Sequence, residues 1–326
     1  MAFPELHHGD LAIRAHDVVA ALNDREWRVS APAKINLRLR VLGRRSDGYH
    51  LLSMLNTTCS LSDDVVVSFG VGRESSAVMN PDDITPIPCA ENLALRAHSK
   101  FWLAFGCTEP PVDIHVRITK RIPVGGGLGG GSSDAGAVLR ILSQVFGAML
   151  RTVLDLSESE FENRMINVAL GCGADVPFAY RGGVCWVTGI GEQVRMLGER
   201  TLWPGRVMLA VPSVPVPTLP FYDFYRSQHP AIVATSDPEM ERLRGAPTVE
   251  VLKELLCNDF EADVRRFVPE VGRGIDCARQ FFPYTTSLTG SGACFFSLVD
   301  AQGEELIPGY RRALEQENIE IHEVRL

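Results

Sequence analysis

The stretch Arg121–Gly136, RIPVGGGLGGGSSDAG, holds six glycines in seven positions and then runs into Ser132, Ser133 and Asp134. Glycine loses more conformational freedom on folding than any other residue, so such a run lowers local stability unless bare backbone is needed. Behind it Ala135, Val138, Leu139, Leu142, Val145 and Phe146 recur at helical spacing. A glycine loop that feeds a helix N-terminus offers exposed amides and the positive end of the helix dipole, which suits a di- or triphosphate. Ser132 and Ser133 add hydroxyls for a phosphate or for a phosphate-bound Mg²⁺.

Two common phosphate loops do not fit. Gly125, Gly127 and Gly130 formally satisfy the dinucleotide pattern G-x-G-x-x-G, but that loop leaves a parallel strand that is apolar on both faces. Here Val112, Ile114, Val116 and Ile118 alternate with Asp113, His115 and Arg117, and Lys120, Arg121 and Pro123 intervene before the glycines. A Walker A loop needs Lys-Ser/Thr after its last glycine, and no Lys lies between Lys120 and Lys253. Nor is a flexible linker expected between an amphipathic strand and a periodic helix.

The elements around the loop follow from periodicity. In Lys34–Val41 the apolar Ile35, Leu37, Leu39 and Val41 alternate with Lys34, Asn36, Arg38 and Arg40, which predicts a half-buried strand with Lys34 and Asn36 on one face. A turn follows at Asp47-Gly48. Ala90–Phe105 reads as a helix entered near Asn92, and Val65–Phe69 as a strand. Ser157 with Glu160 forms a capping-box pattern for a helix that stops at Gly171. His16–Leu22 reads as a short helix within an extension, 1–26. The chain breaks near Trp203-Pro204-Gly205, so we expect an N-terminal domain over 27–203 and a C-terminal domain over 204–326.

Composition narrows the class. The chain has 326 residues and a net charge of -8, which argues against nucleic acid or an anionic membrane as the main partner. No apolar run approaches the ~20 residues of a membrane span, and the N-terminus lacks the basic and apolar regions of a secretory signal. The eight cysteines are scattered singly, as expected of thiols in a reducing cytoplasm. Only four of the 32 basic residues are lysines (Lys34, Lys100, Lys120 and Lys253), so each lysine draws attention.

PVGGGLGGGSS resembles the nucleotide loop of the GHMP small-molecule kinases. Two further motifs of that kind stand in order, APAKINL at Ala31–Leu37 and LTGSGAC at Leu288–Cys294. With RRSDGYHLL, ENLALRA and GADVPF they make a set of six over roughly Trp27 to Val299. That set is most similar to the branch of the family that phosphorylates the 2-hydroxyl of a cytidine-diphosphate-linked methylerythritol in the non-mevalonate route to isoprenoid precursors.

The resemblance implies an α+β, two-domain fold, with an N-terminal domain like ribosomal protein S5 domain 2 and a ferredoxin-like C-terminal domain. It implies ATP as phosphoryl donor with Mg²⁺, whose ligands no visible cluster identifies. Asp175, in GADVP, is implied as the base that takes the hydroxyl proton, and Lys34 as its cationic neighbour, which would keep the Asp ionised. Pro123, Val124, Gly125, Gly126, Gly127, Leu128, Gly129, Gly130, Gly131, Ser132 and Ser133 are implied in ATP binding, with Asn92 and Lys120 near the adenine. Asn36, Tyr49, His50, Thr218 and Tyr222 are implied on the substrate, the aromatics and His50 around the cytosine; adjacent Phe221 competes with Tyr222 for the stacking role. The expected partner is a small molecule rather than nucleic acid or membrane, the expected compartment the cytoplasm, and the expected state a monomer or homodimer.

Overall fold

The structure is a computed structural model. It describes residues 8–21, 25–71, 74–79, 92–198, 202–230 and 235–326. Residues 1–7 and 22–24 of the expected extension, Cys89, and the first residues of the expected helix, Ala90 and Glu91, lie outside the described residues. The chain forms two compact units, one of 1–31, 62–121 and 130–181, the other of 32–61, 122–129 and 182–326.

In the first unit, helix α1 (His8–Ala21) precedes the start of strand β1 (Trp27–Arg44) and the end of β2 (His50–Gly70), followed by β3 (Ser76–Met79), α2 (Leu93–Ala104), β4 (Asp113–Thr119), α3 (Gly130–Val153), α4 (Glu158–Cys172) and α5 (Val176–Arg181). β4 pairs antiparallel with Asp64–Gly70 of β2 and parallel with β3. As its alternation predicts, β4 turns Ile114, Val116 and Ile118 into a core shared with Phe101, Trp102, Leu139, Leu142 and Phe146. The capping box of α4 forms as predicted, although the helix runs to Cys172 and is capped by Gly173. The helix expected at His16–Leu22 already begins at His8; Ala15 is buried in the same core, and His16 Nε2 donates to the Pro111 carbonyl at 2.5 Å. One expectation needs correcting, since α3 is long and apolar enough to cross a bilayer by length and composition. Its apolar face instead forms the centre of this core.

The second unit continues with β5 (Val184–Gly189), β6 (Gln193–Gly198), β7 (Arg206–Pro212), α6 (Thr218–Gln228), α7 (Pro238–Arg242), α8 (Val249–Leu255), β8 (Cys257–Asn258), α9 (Glu261–Phe267), α10 (Pro269–Arg279), β9 (Thr286–Leu288), β10 (Phe295–Val299), α11 (Ile307–Gln316) and β11 (Ile319–Val324). β5 pairs antiparallel with Leu52–Thr57 of β2, and β8 pairs parallel with β1 at Arg38 and Leu39. β7, β9, β10 and β11 form an antiparallel sheet in the order β11-β7-β10-β9. Strand, helices, two strands, helix, strand, with the first and third strands central, is the ferredoxin-like order expected.

The half-buried strand expected at Lys34–Val41 is instead covered on both faces. Ile35 and Leu37 sit in the apolar core of this unit, yet Lys34, Asn36 and Arg38 are also buried. Burying polar groups is costly unless they are hydrogen-bonded, and each of the three is. Arg38 makes a two-pronged pair with Asp237 at 3.0 and 2.8 Å and donates to the Leu255 carbonyl at 3.0 Å. Asp237 also accepts from Ser53 at 2.8 Å, and Ser53 in turn accepts from Trp186 Nε1 at 2.8 Å. Although burial opposes ionisation, the bonds from Arg38 and Ser53 hold the Asp237 carboxyl below its ordinary range.

Candidate active site

The glycine loop takes its shape from two anchors in the second unit. Leu128, the one apolar interruption among the glycines, is buried in the core beside Ile35 and Leu37. Its carbonyl accepts from the Lys34 amide at 3.0 Å. With its side chain so engaged, Leu128 offers a nucleotide only its backbone. On either side Gly125, Gly127 and Gly129 adopt φ of 77°, 79° and 71°, a left-handed conformation that side chains rarely tolerate. Val124 is exposed at 87% and Gly125 is exposed too.

The second anchor is the turn between β9 and β10. A Cβ on Gly292 would lie 2.4 Å from the Gly127 nitrogen, and one on Gly127 would lie 2.9 Å from the Gly292 nitrogen. Cys294 N donates to the Gly126 carbonyl at 3.3 Å. The LTGSGAC motif is therefore a backbone rest for the glycine loop as well as a hairpin turn. Asn258, which sequence reasoning missed, braces that turn by donating to the Leu288 and Gly290 carbonyls at 3.0 and 2.9 Å.

Lys34 and Asn36 lie against the same structure. Lys34 Nζ donates to Asn36 Oδ1 at 2.7 Å, and the Asn36 amide donates to Thr289 Oγ1 at 2.9 Å. The APAKINL motif, the loop centre and the LTGSGAC turn are thus one hydrogen-bonded cluster. A buried ammonium held in such a cluster can stabilise negative charge that develops on a bound oxygen.

A separate cluster in this unit gathers the aromatic candidates. His50 is buried and stacks on Tyr222 with ring centroids 5.5 Å apart and planes at 27°. Tyr225 meets His50 edge-on at 5.3 Å. Phe221 is fully buried against Phe260 and Phe267, whereas Tyr222 is half-buried, with Phe260 edge-on to it at 5.5 Å. Thr218 is exposed one turn before it, at the start of α6. Tyr49 is 58% exposed at the Asp47-Gly48 turn. Burial, with Arg44, Arg226 and His229 around it, lowers the His50 pKa. The ring is therefore neutral at neutral pH, and its buried Nε2 has no partner among the described residues.

In the first unit, Ser132 and Ser133 open α3 at Gly130, as the sequence predicts for a helix N-terminus. A Cβ on Gly136 would lie 2.7 Å from the Ala179 carbonyl carbon, so the absence of a side chain lets α5 rest on the next turn of α3. Half-buried Asp175 immediately precedes α5, and its carbonyl accepts from the Ala179 amide at 3.0 Å. Asn92 is the N-cap of α2, its Oδ1 accepting from the Ala94 amide at 2.9 Å, which fulfils the helix-entry reading of that residue.

Lys120 is not a surface residue. Its Nζ donates to Asp63 at 2.5 Å and to Asp134 at 2.7 Å. Burial pushes the Asp134 carboxyl up to about 7 even with Lys120 beside it. Neither carboxylate was picked out from the sequence. Asp134 follows the two serines and offered a signal, but Asp63, 57 positions from Lys120, offered none. Among the described residues no three His, Cys, Asp or Glu side chains converge to hold a metal ion.

Residues 92–183 match the family profile described as GHMP kinases N terminal domain. The 4-diphosphocytidyl-2-C-methyl-D-erythritol kinase of Ralstonia pickettii is 34% identical over 274 residues, 83% of this chain and 84% of the relative. The chain belongs to this kinase family. The enzyme of the same name from Aromatoleum aromaticum is 31% identical over 90% of this chain and 94% of its own length. A crystal structure titled 4-(cytidine 5'-diphospho)-2C-methyl-D-erythritol kinase shares 29% identity and a TM-score of 0.63, covering 92% of this chain and all of that one. A mevalonate kinase, at 15% identity and a TM-score of 0.63, shares the fold. The chain is a small-molecule kinase with the GHMP kinase fold, and ATP is the co-substrate that such a family implies.

Proposed function

We propose that this kinase transfers the γ-phosphate of ATP to the 2-hydroxyl of 4-diphosphocytidyl-2-C-methyl-D-erythritol, giving the 2-phosphate and ADP in isoprenoid precursor synthesis. The observation that carries the acceptor assignment is the stack of His50 on Tyr222, a neutral imidazole and an aromatic face next to exposed Tyr49. Such a set suits a nucleobase, which offers a π-face and hydrogen-bonding edges. An acceptor without a base would leave these rings unused. The names carried by relatives of similar length support the same substrate.

In this reading Asp175 takes the proton of the 2-hydroxyl as its oxygen attacks the γ-phosphorus, and the bond to the ADP oxygen breaks. Lys34 stabilises the charge on the attacking oxygen, and Asn36 orients both Lys34 and the acceptor. The loop from Pro123 to Gly131 meets the phosphates through its backbone, with Ser132 and Ser133 donating hydroxyls. The Ser132 and Ser133 hydroxyls would also be the groups to meet a phosphate-bound Mg²⁺, which would supply neutralisation of the phosphate charge. Lys120 and Asn92 border the adenine, Lys120 being presented by Asp63 and Asp134. Thr218 joins Tyr222 on the cytidine. We further propose the division into 1–26, 27–203 and 204–326 as its domain organisation, and the cytoplasm as its compartment. Phosphorus NMR of the product tests the reaction, a new monoester on the 2-oxygen being expected and a phosphate on any other oxygen contradicting it.

A further inference from the structure

Asn56 is a buried polar side chain to which the reaction gives no role. Lys34 can only donate, so Asn36 must turn Oδ1 towards its Nζ, at 2.7 Å. That choice aims Asn36 Nδ2 at Asn56, which must then present its own Oδ1, at 2.5 Å. The orientation of both amides is thus dictated from the Lys34 end. The consequence falls on Asn56 in β2: it is fully buried, and its Nδ2 has no hydrogen-bond partner among the described residues.

Buried donors without partners are rare and destabilising, and a leucine in this position would carry no such penalty. The gain lies in what Asn56 Oδ1 does. The backbone of Asn36 is already fixed by Thr289. Without Asn56, its Nδ2 would keep, among the described residues, the Met54 thioether at 3.5 Å, an acceptor too weak to hold the amide in place. We propose that Asn56 is a positioning residue for Lys34: it locks the Asn36 amide so that Oδ1 holds the Lys34 ammonium in one place. The inference rests on the reading of Lys34 as catalytic.

Two substitutions separate this role from a structural one. Asn56→Leu removes the acceptor together with the orphan donor, whereas Asn56→Asp keeps an acceptor oxygen at the cost of a buried acid. The expected result for Asn56→Leu is a kcat at least tenfold lower, KM for ATP within twofold of the parent, and a Tm no lower. Asn56→Asp should retain more kcat than Asn56→Leu despite a lower Tm. A structural role predicts that activity follows stability, with Asn56→Leu the better enzyme, and that order overturns the inference. So does an Asn56→Leu enzyme with kcat within twofold of the parent. Should Asn56→Leu fail to fold, Asn56→Ala answers the same question with the same expected loss of kcat. Lys34→Ala is run alongside: near-normal turnover there overturns the role of Lys34 itself, and this inference with it.

Discussion

Gly292 lies directly on the backbone of Gly127, so close that a Cβ on Gly292 would sit 2.4 Å from the Gly127 nitrogen. Two motifs 165 positions apart therefore depend on each other for shape. Gly292→Ala forces the loop to shift, and misplacement of about an ångström can cost on the order of a hundredfold in rate. We expect KM for ATP to rise at least tenfold in Gly292→Ala, with thermal stability also lowered because the clash is with backbone. An unchanged KM in steady-state kinetics would show that the loop does not need this rest.

Asp175→Ala should lower kcat by about 10²–10⁴-fold, the range of general-base catalysis. ATP affinity, measured by calorimetry, should stay within a few-fold, because the proposed site assigns the phosphates to the loop and the serines of α3 rather than to this carboxylate. Near-normal turnover would exclude Asp175 as the base.

The fold around these residues was legible where the pattern was local. The alternation of β4, the capping box at Ser157 and Glu160, and the glycine loop opening α3 all follow from spacings of a few residues. What was illegible depends on partners far along the chain. Asn36 and Arg38 looked like the wet face of a strand because their partners lie elsewhere: Thr289 and Asn56 for Asn36, Asp237 for Arg38. No periodicity announces a pairing across 199 positions. Which of Phe221 and Tyr222 is the more exposed was likewise a matter of packing. Phe260 and Phe267 take up the first ring and leave the second half-exposed.

Breaking the Arg38–Asp237 pair should strand a charge in the core of the second unit. Arg38→Ala should cost about 3–5 kcal/mol in denaturant unfolding, and Asp237→Ala less, because Glu239 also meets Arg38 at 3.3 Å. An apolar pair, Arg38→Met with Asp237→Leu, should recover most of it. A single-variant loss below about 1 kcal/mol would contradict the burial of this pair.

Stability should also fall in mild acid through His98. It is buried, its Nε2 accepts from Trp102 Nε1 at 3.1 Å, and burial pushes its pKa down to about 4. The unfolded chain binds this proton near pH 6.5 and the folded chain only near 4, so unfolding is favoured as pH drops across that window. The full effect is on the order of 3 kcal/mol. His98→Gln should flatten Tm between pH 6.5 and 4 relative to the parent protein; parallel curves would contradict the assignment.

The central claim is a kinase that reads a cytidine, and ADP release with Mg-ATP tests it most directly. The acceptors to compare are 4-diphosphocytidyl-2-C-methyl-D-erythritol and the uncytidylated 4-phosphate, with Asp175→Ala as control. The account predicts turnover on the cytidylated acceptor alone, lost in the variant. Equal turnover on both acceptors, or none on either while ATP still binds, would contradict it.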